Sequence, residues 1–361
     1  MSWPNHTFWL GKRVLVTGST GFKGSWLCTW LNMLGSDVVG IGLPPESSPA
    51  LFDLIGGEER FHTHYCDIRD LNGFRDQIAN FQPEIVFHLA AQPLVQRSYI
   101  RPVETFQTNI VGTLNVLEAA LSCSAGTVVV NVTSDKCYEN NGEGQIFSED
   151  SKLGGADPYS CSKACSELVT MAYQQSFYKS AGILASTARA GNVLGGGDWA
   201  EGRLVPDVLR SHEAQQSVVL RNPGAIRPWQ HVLEPLRGYM VLAESLASGK
   251  VPSGSAWNFG PNKEEAREVG WLVNCLLGHL KSNLPPVLDT NSYPPEARFL
   301  SLDSTKSRMH LNWSPIWDAE KTLKKVADWY MAYKAGKPVL AECQAQIEQY
   351  TAASQVPLEA G

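Results

Sequence analysis

No apolar run in this 361-residue sequence is long enough to span a bilayer, so a helical membrane anchor is not expected. Basic blocks are also missing, and the formal charge of −6 argues against a general nucleic-acid binder. Low-complexity tracts and internal repeats are absent. The opening residues, Met1-Ser2-Trp3-Pro4-Asn5-His6, lack the basic and then apolar order of a signal peptide. The eight cysteines are scattered, with Cys28, Cys123 and Cys275 in apolar segments. They read as reduced thiols of a cytoplasmic protein. Cys161 and Cys165 lie one helical turn apart, but no second pair at zinc spacing accompanies them. His62 and His64 form a lone HxH, read as a solvated loop, so no metal is expected.

What is present is a globular chain. Its 43% hydrophobic content provides for a sizeable core, and its length fits one large domain or two joined ones. Lys12 to Thr17 reads as a strand and Gly18-Ser19-Thr20-Gly21-Phe22-Lys23-Gly24 as a glycine turn. Ser25 to Leu31 reads as the following helix, ending at Gly35. Strand, glycine turn and helix in that order make a dinucleotide site. Glycines let the backbone approach a pyrophosphate, and the helix start supplies N–H donors. The spacing is GxxGxxG, not GxGxxG. The second strand, Asp37 to Leu43, lacks an acid at its end, where one would hold an adenosine ribose. No arginine follows at once to meet a 2′-phosphate, so this stretch leaves NAD and NADP both open.

Phe61 to Cys66 reads as a short third strand and Pro83 to Ala91 as the next. Asp67 is a candidate partner for an adenine amino group, and Asp67 or Asp70 is equally a helix cap. A helix is expected from Arg101-Pro102 through Asn109 and Gly112 to Ala120. The alternation predicts an α/β fold with a doubly wound parallel sheet and a smaller C-terminal substrate domain.

The stretch from Val132 to Lys163 carries the chemistry. Val128-Val129-Val130-Asn131-Val132 reads as a buried parallel strand. Ser134, Asp135 and Lys136 follow at its carboxyl end, where open α/β sheets bind ligands. Asp157 caps a helix that begins with Pro158, and Tyr159 and Lys163 share one face of it. A nearby ammonium favours phenolate, so Lys163 is expected to lower the pKa of Tyr159. A tyrosine so tuned takes a proton from an alcohol near neutral pH. A bare Tyr-xxx-Lys is common on helix surfaces; the strand end upstream gives this one its meaning.

Ile183 to Ala188 reads as a sixth strand leading to Arg189-Ala190-Gly191-Asn192, and Trp257 to Gly260 as a return strand. Arg203, Arg227 and Arg298 stand in loop or strand-edge contexts suited to phosphate, or to a surface ion pair. Asp318 to Lys334 reads as an amphipathic helix with Leu323, Val326, Ala327, Tyr330 and Tyr333 on one face. The polar, alanine-rich end reads as a tail. The expected division is 1–190 with a return at 229–260 for the dinucleotide, 191–228 with 261–340 for the substrate, and 341–361 as tail.

From Lys12 to Trp329 the sequence resembles the extended short-chain dehydrogenase/reductases that act on nucleotide sugars. The resemblance rests on Gly18-xx-Gly21-Phe22-Lys23-Gly24, His88-Leu89-Ala90-Ala91-Gln92-Pro93, Thr133-Ser134-Asp135-Lys136-Cys137-Tyr138, Asp157-Pro158-Tyr159-xxx-Lys163, Pro228-Trp229-Gln230-His231-Val232 and Arg189 onward to Trp199. Ser134-Asp135-Lys136 with Gly196-Gly197-Asp198-Trp199 is similar to the members acting on CDP-glucose as 4,6-dehydratases. The resemblance implies bound NAD and deoxysugar synthesis, including O-antigen sugars. It implies a homodimer or larger homo-oligomer built on the helices near Asn109 and Lys163. Ser134, Asp135, Lys136, Tyr159 and Lys163 are then catalytic. Tyr159 takes the C4 hydroxyl proton, Ser134 bonds the same oxygen, Asp135 is the acid to the C6 hydroxyl, and Lys136, if neutral, is the C5 base. Gly18, Thr20, Gly21, Phe22, Gly24, Asp67, Ile68, Ala91 and Asn109, with Tyr159 and Lys163, face the cofactor. Asn192, Arg203, Arg227 and Arg298 face the nucleotide diphosphate. Two rivals share the fold. A 4-epimerase or reductase would need no acid/base pair after Ser134. A non-catalytic dinucleotide sensor can lose the Tyr or the Lys.

Overall fold

Seven strands make one parallel sheet in a computed structural model that describes residues 1–142, 144–289 and 299–353. They are β1 (Arg13–Thr17), β2 (Asp37–Gly42), β3 (His64–Tyr65), β4 (Ile85–His88), β5 (Val128–Val132), β6 (Leu184–Ala190) and β7 (Ala256–Phe259). Their order is β7-β6-β5-β4-β1-β2-β3. The order reverses at β1, where Val14 lies opposite Val38 of β2 on one side and Ile85 of β4 on the other. That switch point opens a crevice at the carboxyl ends of β1 and β4, the place where such sheets hold ligands.

The central strands β1, β4 and β5 are mostly apolar and almost wholly buried because helices cover both faces. Side chains alternate between the two layers. Val14 and Val16 of β1 and Val128, Val130 and Val132 of β5 enter one core, with Trp26, Leu27, Trp30 and Leu31 of α1 (Phe22–Met33). Leu15 and Val129 enter the other core. There they meet Phe74 and Ile78 of α2 (Leu71–Phe81) and Val116 and Leu117 of α3 (Gly112–Ala120). A helical segment, Pro102–Phe106, and a π-helical turn, Gln107–Val111, lead into α3. Asp70, not Asp67, caps α2, its carboxylate accepting from Gly73 N at 3.2 Å. The other long helices are α4 (Pro158–Tyr173), α5 (Leu204–Glu213), α6 (Leu233–Ala247), α7 (Val269–His279), α8 (Ala319–Lys334) and α9 (Val339–Ala352).

Leu209 of α5, Leu272 and Leu276 of α7, and Leu323 and Val326 of α8 join the same core as α1 and α6. The smaller C-terminal layer is therefore packed onto the sheet without a break.

Three sequence expectations are corrected. The third strand is confined to His64–Tyr65, shorter than Phe61 to Cys66. The sixth runs Leu184–Ala190, one residue later at its start and two longer at its end than read. Residues 341–352 are no tail. They belong to α9, whose Cys343, Ile347 and Tyr350 are buried against α1 and α8. Tyr350 meets Trp30 edge-on at 5.8 Å, and Trp329 Nε1 donates to Cys343 Sγ at 3.3 Å.

Candidate active site

The crevice floor is the turn between β1 and α1. Gly18 has φ +73°, and a Cβ there would sit 2.7 Å from Ala90 N. A Cβ at Gly24 would lie 2.1 Å from Gly18 O. Only glycine lets the strand end, the turn and the helix start approach this closely. Gly21 precedes α1 with extended backbone and no side-chain cap, so the first N–H groups of the helix point into the crevice unshared by a cap. A turn of this shape can cradle a pyrophosphate. The missing acid of β2 also has a physical reason. A Cβ at Gly42 would be 2.8 Å from Thr20 Oγ1, which is fixed by donating to Leu43 O at 2.8 Å.

The crevice wall is the end of β5. Ser134 adopts extended backbone and accepts from Lys136 N at 3.2 Å, turning the chain into a short 3-10 turn. Its hydroxyl donates to Asp135 Oδ1 at 3.0 Å. Lys136 Nζ reaches the same oxygen at 3.3 Å and Asn192 Oδ1 at 3.5 Å. Asp135 is buried, and its Oδ2 has no hydrogen-bond partner among the described residues. A buried carboxylate oxygen left over beside an amine and a serine is the arrangement expected of an acid/base group.

The opposite wall is the start of α4, where Asp157 caps the helix by accepting from Ser160 N at 2.9 Å, with Pro158 in the first turn. Tyr159 and Lys163 are both buried on the face toward β5, and Lys163 Nζ donates to Val132 O at 3.3 Å. Burial pushes the Lys163 amine down to about 8, and Glu167, one turn further on, works against that fall. The Tyr159 phenol behaves differently from the sequence expectation. Burial lifts it above its ordinary value, outweighing the opposing pull of Lys136, the Ser134 hydroxyl and Arg203. In the chain by itself the phenol is therefore the resting form.

Behind this cluster lies a network that sequence reading missed. Glu167 accepts from Thr133 Oγ1, from Thr187 Oγ1 at 2.7 Å and from Arg189 Nη2 at 2.7 Å. Arg189 in turn donates to Tyr138 OH at 2.8 Å. Both members of the ion pair are buried. Thr133 immediately precedes Ser134, so the network joins α4 to the strand end that carries Asp135 and Lys136. Its one legible signal was spacing, since Glu167 lies four residues after Lys163.

The structure thus gathers Ser134, Asp135, Lys136, Tyr159, Lys163 and Asn192 around one crevice. Arg203 borders it at the start of α5, held by Asp198 Oδ2 at 2.9 Å. Lys23 of α1, also missed, is half-buried and faces the same space, its Nζ 3.4 Å from Tyr239 OH. Asn109 is fully used: it accepts from Gln92 N at 2.8 Å and donates to Gln92 O and Ser162 Oγ. It holds the Ala91–Gln92 turn in place. The Asp67 carboxylate accepts from Arg69 at 2.6 Å, and Ile68 is buried under Gly112. Arg227 is buried on the short strand Ile226–Pro228, where Nη1 donates to Ile226 O at 3.0 Å. Arg298 lies outside the described residues. Among those residues no three His, Cys, Asp or Glu side chains gather as a metal site.

Comparison with known proteins follows the same lines. A family model described as GDP-mannose 4,6 dehydratase matches residues 15–326. A CDP-glucose 4,6-dehydratase from Salmonella typhimurium is 45% identical over 352 residues, covering 96% of this chain and 98% of its own. dTDP-glucose 4,6-dehydratase 1 from Escherichia coli is 27% identical, covering 89% and 93%. Among solved structures, a dTDP-glucose 4,6-dehydratase from Streptomyces venezuelae, with NAD bound, has a TM-score of 0.76 at 23% identity, covering 91% and 99%. A UDP-glucose 4-epimerase from Thermotoga maritima has a TM-score of 0.76 at 22% identity, covering 89% and 99%. Likeness at these last identities speaks for the fold alone.

Proposed function

Because this chain belongs to the GDP-mannose 4,6 dehydratase family, we propose that it converts CDP-D-glucose to CDP-4-dehydro-6-deoxy-D-glucose and water. It is an NAD-dependent nucleotide-sugar 4,6-dehydratase, a lyase of deoxysugar synthesis. The nucleotide reading is supported by the near full-length similarity to the Salmonella CDP-glucose enzyme. The NAD reading is supported by related dehydratases solved with NAD. The observation that carries the chemistry is the buried Asp135 with Lys136 Nζ 3.3 Å away, beside Ser134, Tyr159 and Lys163.

NAD, when bound, supplies a hydride acceptor for C4 that gives the hydride back at C6, so the net change is loss of water. Gly18, Thr20, Gly21, Phe22 and Gly24 would hold its pyrophosphate, Asp67 and Ile68 its adenine, and Ala91 and Asn109 its nicotinamide half. Tyr159 takes the C4 hydroxyl proton while Ser134 bonds the same oxygen. Lys163 supplies the positive charge that offsets the phenolate. The resulting carbonyl acidifies the C5 proton. Elimination then needs a base for C5 and an acid for the C6 hydroxyl.

The Asp135–Lys136 contact provides both. With the shared proton on Asp135, Lys136 is a free amine and takes the C5 proton. Asp135 gives its proton to the departing hydroxyl. The two arrangements of that proton have the same net charge, so switching between them needs no proton from solvent. Asn192, Arg203, Arg227 and Arg298 bind the nucleotide diphosphate.

A 4-epimerase needs no such pair, so the Asp135–Lys136 contact favours the dehydratase. The division into a dinucleotide domain (1–190, with 229–260) and a substrate domain (191–228, with 261–340) is part of the same proposal. A homodimer or larger homo-oligomer is supported by Ile100, Val103, Val111, Leu114, Leu168 and Met171, exposed on the helices near Asn109 and on α4. The mass of the protein in solution tests it, and a monomer would refute it. No helix among the described residues is long and apolar enough to cross a membrane, and all eight cysteines are free. A cytoplasmic location fits both, and fractionation of cells tests it. The function itself is tested by product mass with CDP-, dTDP-, UDP- and GDP-glucose in turn. Loss of one water from CDP-glucose alone is expected. Unchanged mass with a new sugar isomer would replace the dehydratase by an epimerase.

A further inference from the structure

Four basic side chains converge on the crevice: Lys23 from α1, Lys136 after β5, Lys163 from α4 and Arg203 at the start of α5. The carboxylates near them are already shared. Asp135 is in contact with Lys136, Asp198 with Arg203, and Glu167 with Arg189. Lys23 forms no salt bridge among the described residues. Its Nζ donates to Tyr239 OH at 3.4 Å and stands 5.8 Å from the centroid of that ring. Tyr239 is fully buried, and burial, then Asp135 and Tyr159, push its phenol up, so it gives Lys23 a dipole but no charge.

The groups facing Lys23 are thus known from each side. Tyr239 comes from α6, Tyr159 and Lys163 from α4, Asp135 and Lys136 from the turn after β5, and Arg203 from the start of α5. Burial, then Arg203 and Lys163, push the Lys23 amine down to about 7, with only Asp135 opposing. An amine with surplus positive charge around it and no counter-ion is matched by a ligand that brings negative charge. On the reading proposed above, both small molecules that enter this crevice carry a diphosphate.

We propose that Lys23 is a ligand-binding residue of this crevice, pairing with a bound diphosphate and taking up one proton from solvent as that diphosphate enters. A negative charge within roughly 4–6 Å favours the ammonium, so the bound state holds the proton that the free state lacks. The sign follows from linkage. Below about pH 7 Lys23 is already charged and binding is insensitive to pH. Above it, binding weakens as pH rises, by up to about tenfold per unit. Lys163, also depressed, contributes a background that the comparison below subtracts.

The test is titration calorimetry of the full chain with NAD alone and with CDP alone, in buffers of different ionisation heat, at pH 6 and pH 8. The difference in proton uptake between wild type and Lys23→Met should be larger at pH 8 than at pH 6. Lys23→Met should also bind the responsible ligand about tenfold more weakly at pH 6. Lys23→Arg, always charged, should bind with no more uptake than Lys23→Met. A difference with NAD alone assigns Lys23 to the cofactor diphosphate, and one with CDP alone to that of the nucleotide sugar. Equal uptake by wild type and Lys23→Met, with both ligands bound, would overturn the inference and leave the proposed function standing. Failure of wild type to bind either ligand would overturn both.

Discussion

Lys136 is the residue on which the proposed chemistry turns. It lies 3.3 Å from the buried Asp135, close enough for the two to exchange a proton. Lys136→Met should leave C4 oxidation in place and slow elimination by about 10²–10⁴-fold, the usual worth of a positioned base. The readout is exchange of the C5 hydrogen with deuterated solvent; unchanged exchange would remove Lys136 as base. Lys163 sets a pH limit. Its amine is pushed down to about 8, and on the proposed mechanism it must be charged to offset the Tyr159 phenolate. Activity should therefore fall as pH rises through about 8. Glu167→Gln removes the carboxylate that opposes that depression, so the alkaline limb should move to lower pH. A limb that does not move would separate Glu167 from Lys163. At this scale Tyr159, Lys163 and Ser134 were legible, because a buried strand followed by a capped helix gives their spacing a meaning. Lys23, Tyr239 and Arg189 were not. What they do depends on which elements pack around them, and no local pattern carries that.

At the scale of elements, one buried ion pair fastens α4 to β6, and the same carboxylate holds the residue after β5. Glu167 of α4 holds Thr133 after β5 and Thr187 and Arg189 of β6, all buried. Arg189→Met would leave the Glu167 carboxylate buried without its ion partner. That should cost about 3–5 kcal/mol in urea unfolding. Removing both, as Glu167→Gln with Arg189→Met, should cost less than the sum of the two single changes, since the pair acts as a unit. Additive losses would show that the two residues act independently. The strands and most helices were readable here, since their apolar residues repeat at the period of each element. Helix α9 was not. Val339, Cys343, Ile347 and Tyr350 fall at helical spacing, yet the alanine, glutamine and glutamate between them hide a stripe only four residues long.

At the scale of the molecule, the switch point at β1 and β4 brings together a glycine turn, a strand end and a helix start that lie far apart in sequence. The parallel order followed from the alternation of strands and helices. The way α5, α7 and α8 merge into the core beside α1 did not, because their short connecting strands have no period of their own to read. The whole assembly is proposed to move one hydride within one sugar. The most direct test supplies CDP-glucose carrying deuterium at C4, with NAD, and locates the label in the product. The account predicts a 4-keto product with that deuterium on C6. Deuterium retained at C4, or lost to solvent, would contradict it.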